Sequence, residues 1–308
     1  SYPDWLVSLL TTEFGLVTAQ DILRAQNGRA RLTLRANLLK CSRDELLTRL
    51  RSLGLAAEPT PLGPWGVVLD THLNVYSLPL HEEGLCEVQD EASQLVAELC
   101  APPPGSLLVD ACAGAGGKTL AIGAAMRSTG RLYAFDTSAH RLDSFKPRMA
   151  RSGLSHVHPA AIAHERDDRV KRLSGKIDRV LVDAPCTGLG TLRRNPDLKW
   201  RQNLQSVEEM AVKQAAILQS ASRMVKSGGR LVYATCSVLP QENEAIAQAF
   251  AAANPDFAPL SAGQILTDLK VENAPALCAG GEDGQLYLRL WPHRHATDGF
   301  FAAVWQKK

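Results

Sequence analysis

The stretch Leu107-Leu-Val-Asp110-Ala-Cys112-Ala-Gly114-Ala-Gly116-Gly117-Lys118-Thr119 reads as a short apolar strand, a glycine-rich turn and the opening of a helix. Glycines there let a ligand approach the backbone, and the helix N-terminus leaves N–H groups free to meet it. Outward from this stretch, apolar β-branched runs near 132–135, 180–182 and 231–234, with a weaker one near 156–162, alternate with helical segments. That alternation predicts a parallel sheet covered on both faces, an α/β doubly wound architecture. The strong strands end in Asp110, Asp136, Asp183 and Thr235-Cys236. Ligands of open α/β sheets bind beyond the carboxyl ends of the strands, so these ends are expected to converge on one cleft.

Upstream the elements are shorter and mixed. Helices are expected at 2–14, 18–26 and 42–54, the last opened by a capping box of Ser42 and Glu45, with strands near 30–35 and 65–69. This predicts a small α+β domain over 1–84 and a larger domain over 85–308. A helix at 90–99 is stopped by Ala101-Pro-Pro-Pro-Gly105. The tail, with apolar runs at 286–290 and 300–305, is expected to form a hairpin.

The 308 residues are 45% hydrophobic and 21% charged, which excludes a disordered chain. No apolar run approaches the ~20 residues that cross a bilayer, and no signal-like leader opens the sequence, so a cytoplasmic protein is expected. Seven cysteines, none in a C-x-x-C pair, argue against a zinc site and a disulfide framework; no metal is expected. The net charge of +2 averages unlike regions: 127–231 carries 20 basic and 10 acidic residues, and 20–54 carries 8 and 3. Such stretches are either solvated helix faces or an anion-binding surface in two parts.

The glycine turn fails two stricter patterns. A phosphate-binding G-x-x-x-x-G-K-T needs glycine where Cys112 stands, and a dinucleotide G-x-G-x-x-G is not matched. The looser turn of S-adenosylmethionine enzymes remains, with Asp136 placed to accept from ribose hydroxyls; a purely structural turn is the competing reading. Asp183-Ala-Pro-Cys186-Thr-Gly188-Leu-Gly190 sets a carboxylate beside a thiol, and Tyr233-Ala-Thr-Cys236-Ser237 sets a second thiol at another strand end. An acid and a thiolate together suit a planar heterocycle, the acid bonding a ring nitrogen while sulfur adds to an electrophilic carbon. A helix first turn containing Pro240, Glu242 and Glu244 is expected just beyond, where it would favour the thiolate. Either cysteine alone could be an inert core thiol; two flanking an aspartate favour chemistry.

These motifs, with Thr297-Asp-Gly-Phe-Phe-Ala-Ala, Arg35-Ala-Asn37-x-x-Lys40 and Gln89-Asp-Glu-Ala-Ser93, resemble the RNA 5-methylcytosine methyltransferases of the Sun/Fmu family over nearly the whole chain. The resemblance implies a Rossmann-like class I methyltransferase sheet preceded by a small RNA-binding α+β domain. It implies Cys236 as the nucleophile that adds to cytosine C6, Asp183 as the contact to N3, Cys186 as the cysteine that helps release the product, and Lys118 beside them. For the cofactor it implies the loop Cys112, Ala113, Gly114, Ala115, Gly116, Gly117 and Lys118, then Asp136, Arg141 and Asp183, with Asp167 best matching the family's D-x-R on the adenine side and Asp168 its competitor. Arg35, Asn37, Lys40, Arg193, Arg194, Lys199 and Arg201 are the expected RNA contacts, and Trp200 is a stacking or a core residue. The family's loop more often reads Ala-Ala-Pro-Gly-Gly-Lys, so Gly114-Ala115 is a departure. Some bacterial members carry an N-terminal helical domain resembling the antitermination factor NusB; none precedes Ser1, which suggests a short member or a piece without it.

The resemblance thus implies an RNA cytosine-C5 methyltransferase acting as a monomer, on ribosomal RNA in preference to transfer RNA. The competing readings are a non-catalytic RNA-binding protein on the same fold and a nicotinamide-dependent oxidoreductase.

Overall fold

The computed structural model describes residues 1–70 and 73–308. Helices α1 (Asp4–Phe14) and α2 (Leu16–Asn27) come first, followed by β1 (Leu32–Ala36), α3 (Arg43–Ser52), β2 (Ala57–Pro59), β3 (Gly66–Leu69), the single-turn α4 (Pro79–Glu82) and β4 (Cys86–Val88). The four strands form an antiparallel sheet in the order β2-β3-β1-β4. Its apolar face packs on Leu46, Leu47 and Leu50 of α3, which opens with the expected capping box: Ser42 accepts from the Glu45 N–H while its own N–H donates to the Glu45 carboxylate. The two N-terminal helices do not cover this sheet. Leu6, Leu10, Ala19 and Ile22 are buried with Leu189, Leu192, Val207, Val238 and Leu239, so α1 and α2 brace loops of the larger sheet.

That sheet is built from α5 (Glu91–Glu98), β5 (Leu107–Asp110), α6 (Gly117–Ala125), β6 (Arg131–Asp136), α7 (Ala139–Ser152), β7 (Val157–Ala161), α8 (Asp168–Lys171), β8 (Ile177–Asp183), α9 (Leu198–Arg201), α10 (Leu204–Ser222), β9 (Val225–Thr235), α11 (Glu244–Ala253), β10 (Phe257–Leu260), α12 (Ala262–Asp268), β11 (Cys278–Ala279), β12 (Tyr287–Leu290), α13 (Pro292–His295) and β13 (Phe300–Lys307). Its order is β11-β12-β13-β9-β8-β5-β6-β7, with β10 also paired to β13. Strands β5 to β9 are parallel and β13 runs antiparallel to β9. This is the Rossmann-like methyltransferase sheet that the sequence led us to expect, and β12 and β13 form the expected terminal hairpin. Along β9, Leu231 and Tyr233 enter one core cluster and Val232 and Ala234 the other, the period-2 alternation of a strand buried on both faces. From β5 the chain winds one way to β6 and β7 and the other way to β8 and β9. The ends of β5 and β8 therefore flank the point where strand order reverses, where a cleft opens.

In the segment Arg35 to Lys40, expected to meet RNA, Arg35 and Asn37 are buried and bonded within the protein. Arg35 is 3% exposed and donates through Nε to Gln89 at 2.6 Å. Asn37 is 4% exposed, and its Nδ2 donates to the carbonyls of Gly84 at 2.8 Å and Ser152 at 2.9 Å. Lys40 is exposed, yet its Nζ bridges the carbonyls of Glu83 and Arg151. Glu87 of β4 adds ion pairs to Arg148 and Arg151 of α7. Polar groups near the end of β1 thus clamp the small sheet to α7, because a buried carbonyl without a donor costs more than an exposed phosphate contact would return. Among the described residues no helix is long and apolar enough to cross a membrane.

Candidate active site

Beyond the carboxyl ends of the parallel strands lies a cavity of about 1160 Å³. It is lined by the loop Cys112–Ala115 with Gly117 and Lys118, by Asp136 and Arg141, by Ile162–Glu165, by Asp183 and Cys186, and by Cys236 and Phe300. The four strand ends singled out in the sequence do converge. Local geometry requires glycine in the loop: Gly116 has φ +83°, and a Cβ there would sit 1.9 Å from the Phe145 ring. Gly190 is held just as tightly. Its N–H donates to the Cys236 carbonyl and its own carbonyl accepts from Gly299, an approach that leaves no room for a Cβ.

On the floor of the cavity, Lys118 Nζ donates to Asp183 Oδ2 at 2.7 Å and stands over the Phe300 ring. Burial pulls the Lys118 ammonium down, but Asp183, with Cys236 and Asp110 beyond it, more than offsets this, so Lys118 is raised and charged. Neighbouring Asp110 is buried, accepts from Thr119 Oγ1 at 2.7 Å, and is pushed up to about 7, chiefly by burial. The same burial, with three carboxylates nearby, holds the Cys112 thiol far above its usual range. The sulfurs of Cys186 and Cys236 lie 3.4 Å apart, and Cys186 is raised by its bond to Cys236 and by burial.

Asp136 accepts from the Gly114 N–H at 2.8 Å and the Ser138 N–H at 2.7 Å, tying the glycine loop to the end of β6. The cofactor loop is held from outside as well: Arg148 Nη1 donates to the Ala115 carbonyl at 2.5 Å while its other nitrogens hold Glu87. Asp167 does not line the cavity. It caps α8 and accepts from Ala163 and Arg169, shaping the Ile162–Glu165 wall rather than touching its contents. Asp168 is exposed and pairs with Lys171.

Residues 97–306 match the family described as 16S rRNA methyltransferase RsmB/F. The chain belongs to this family. Residues 2–76 match the ferredoxin-like domain of RsmF/B-like methyltransferases. Among relatives of this RsmB/F member, a probable ribosomal RNA small subunit methyltransferase B from Synechocystis is 34% identical over 314 residues, covering 100% of the chain and 67% of the relative. A solved methyltransferase homologue from Pyrococcus horikoshii is 29% identical, with a TM-score of 0.80 and full coverage of both chains. NSun6 from the same organism, solved with SFG, shares the fold at 21% identity, with a TM-score of 0.84 over 99% of this chain and 98% of that one. The methyl donor of this family is S-adenosylmethionine.

The basic residues near the active site of this RsmB/F chain divide sharply. Arg193 and Arg194 meet Asp90 and Asp298 in a largely buried cluster, with Arg194 Nη2 to Asp90 at 2.9 Å and Nε to Asp298 at 2.9 Å. Arg194 also donates to the Arg31 carbonyl. The cluster joins the Cys186 loop, the start of α5 and the terminal hairpin, so both arginines already have protein partners. Lys199 instead stands over the rings of Tyr2 and Trp200, Trp200 is 59% exposed, and Arg201 pairs with exposed Asp197. Sequence reasoning missed Arg148 and the His164–Glu165 wall, and it quoted the motifs that hold Asp90 and Asp298 without giving either residue a role. It also misjudged Glu242: α11 begins at Glu244, and Glu242 precedes it, fully buried.

Proposed function

We propose that this chain transfers a methyl group to C5 of a cytosine in small-subunit ribosomal RNA, through a covalent bond between Cys236 and cytosine C6. One observation carries the reading: two thiols 3.4 Å apart share a cavity with the Lys118–Asp183 pair, and this cavity continues to the glycine loop and Asp136.

The residues present fit S-adenosylmethionine. A carboxylate at the end of β6 suits ribose hydroxyls, Ile162 and Ala163 offer an apolar wall for a purine, and Gly114 leaves open space above the loop, since a Cβ there would meet nothing within 4 Å. Asp136 and the Cys112–Gly117 loop would hold it, with Arg141 at the rim. Bound there, S-adenosylmethionine supplies an electrophilic methyl group.

Attack of the Cys236 thiolate at C6 drives electron density towards N3 and C5. Asp183, hydrogen-bonded to the Lys118 ammonium, faces N3 and hands it a proton drawn from Lys118, which neutralises that charge. Methylation at C5 leaves a proton that must depart before the carbon–sulfur bond can break. Cys186 is placed to take it: its own proton passes to solvent through the open cavity, and the resulting thiolate, whose proton affinity is raised by the bond to Cys236 and by burial, accepts the C5 proton as the Cys236–C6 bond breaks. We further propose the division into an RNA-binding part within 1–84 and a catalytic part within 85–308, with the chain acting as a cytoplasmic monomer without a metal. Among the described residues no group of three or more His, Cys, Asp or Glu could hold a metal ion. Supporting the ribosomal substrate are the family match and relatives named for small-subunit rRNA.

The test is bisulfite sequencing of 16S rRNA after incubation with the protein and S-adenosylmethionine, with gels for the covalent complex. Cys236→Ser is expected to abolish adduct and 5-methylcytosine, and Cys186→Ser to accumulate adduct. The opposite pattern would reassign the nucleophile, and a wild-type protein that modifies no cytosine would end the reading.

A further inference from the structure

Glu242 is a buried ionisable residue that the chemistry above does not use. Its side chain is 0% exposed, and no Lys or Arg among the described residues forms an ion pair with it. Four neutral donors surround it. Oε1 accepts from the Thr187 N–H at 2.8 Å and from Gln214 Nε2 at 3.0 Å; Oε2 accepts from Thr187 Oγ1 at 2.5 Å and Ser237 Oγ at 2.5 Å. Thr187 follows Cys186, and Ser237 follows Cys236. The surrounding network fixes who donates: Ser237 Oγ already accepts from the Leu239 N–H, and Gln214 Nε2 also reaches the Pro185 carbonyl. Asn243 closes the brace, donating to the Ser237 carbonyl and accepting from Thr235 Oγ1. One carboxylate therefore joins the loops that carry the two thiols.

Burying a carboxylate without a cation is costly unless its oxygens are filled by hydrogen bonds. A hydrophobic side chain could fill the same space, but it could not hold a backbone N–H and two hydroxyls on separate loops at once. We propose that Glu242 is a positioning residue: it fixes the separation of the Cys186 and Cys236 sulfurs by holding the two loops that carry them. The inference rests on the cysteine roles proposed above. Around Cys186 the titratable groups are Cys236 at the end of β9, Glu242 before α11 and Tyr233 within β9, and the Glu242 charge acts on Cys186 in the upward direction.

The test compares Glu242→Gln, Ser237→Ala and Thr187→Val with wild-type protein. Misplacing a reacting group by about 1 Å costs on the order of 10²-fold in rate. Ser237→Ala, which frees the Cys236 loop, is expected to slow adduct formation at least about tenfold. Thr187→Val, which loosens the Cys186 loop, is expected to leave formation intact and prolong the adduct by a similar factor. Glu242→Gln is expected to do both with S-adenosylmethionine affinity unchanged, and to move the pH profile of Cys186 alkylation in the free protein to lower pH. Equal slowing of both steps by all three variants, or an alkylation profile that stays in place, would overturn the proposal. The alkylation arm needs no RNA, so it separates failure of this inference from failure of the proposed reaction.

Discussion

Two motif-rich regions of this chain met opposite fates. The strand-end residues Asp136, Asp183, Cys186 and Cys236 line one open cavity, whereas Arg35, Asn37 and Lys40 turn to protein carbonyls and side chains and clamp the small sheet to α7. A motif marks where the chain is constrained without saying whether the constraint serves a ligand or an interface. The difference lies in what surrounds the polar atoms: around the cavity they face space large enough for a cofactor and a base, and in the clamp every bond ends on the protein.

The sharpest way to break the contrast is to remove a charge on the cavity side. Asp183→Asn is expected to lower the rate of methyl transfer about 10²- to 10⁴-fold, the range of a lost acid–base group. It also leaves the Lys118 ammonium buried without its partner, so the melting temperature should fall while S-adenosylmethionine affinity changes little; calorimetry and single-turnover assays read the two effects. A variant with a near-normal rate would move Asp183 into the structural class.

Arg194→Ala asks the same question of a residue expected to meet RNA that is bonded to two buried carboxylates. It removes one of the two arginines that meet Asp90 and Asp298, which are 8% and 4% exposed at their side chains, and leaves Arg193 bonded to Asp298 at 3.1 Å. Breaking a buried pair costs about 3–5 kcal/mol, and the 29% exposure of the Arg194 side chain puts this case at the low end. Urea unfolding should show the loss at unchanged slope. A stable variant with weakened RNA affinity would return Arg194 to the RNA surface.

What was legible followed the range of the interactions. Strand ends, the glycine turn and the capping box at Ser42 are local patterns, and each appeared as read. Partners far apart in sequence were not legible: Arg194 with Asp90, Arg148 with Glu87, and Glu242 with Thr187 depend on how strands and helices are stacked. Glu242 shows the mechanism of the error. Pro240 with two glutamates nearby resembles a helix start, yet the loops on either side fold over Glu242 and fill its oxygens.

Asp110 gives a smaller effect with a definite sign. Its folded pKa, about 7, lies above the ordinary 3.8, so the folded state holds its proton while the unfolded chain loses it. Stability from this group is complete below about pH 4 and is lost as pH rises through about 7. Asp110→Asn should flatten that decline, leaving the similar contribution of Glu98, which burial also pushes up to about 7. Unfolding free energy measured at pH 5 and pH 8 checks this, and a variant with an unchanged difference would mean that Asp110 ionises in the folded protein.

The smallest effects divide the basic residues most cleanly. Asn37→Ala strips two buried carbonyls of their donor and should cost about 1–3 kcal/mol of stability, with no change in the salt dependence of RNA binding. Lys199→Ala and Arg201→Ala should do the reverse. Lys199 rests on aromatic rings at the surface and the partner of Arg201, Asp197, is exposed, so stability should hold within about 0.5 kcal/mol. If each meets a phosphate of unpaired RNA, its loss should lower the slope of log affinity against log salt by about 0.7. RNA titrations at several salt concentrations measure that slope. Because Trp200 stands exposed beside both residues, its replacement by Ala should weaken binding without altering the slope, the signature of stacking and not of charge.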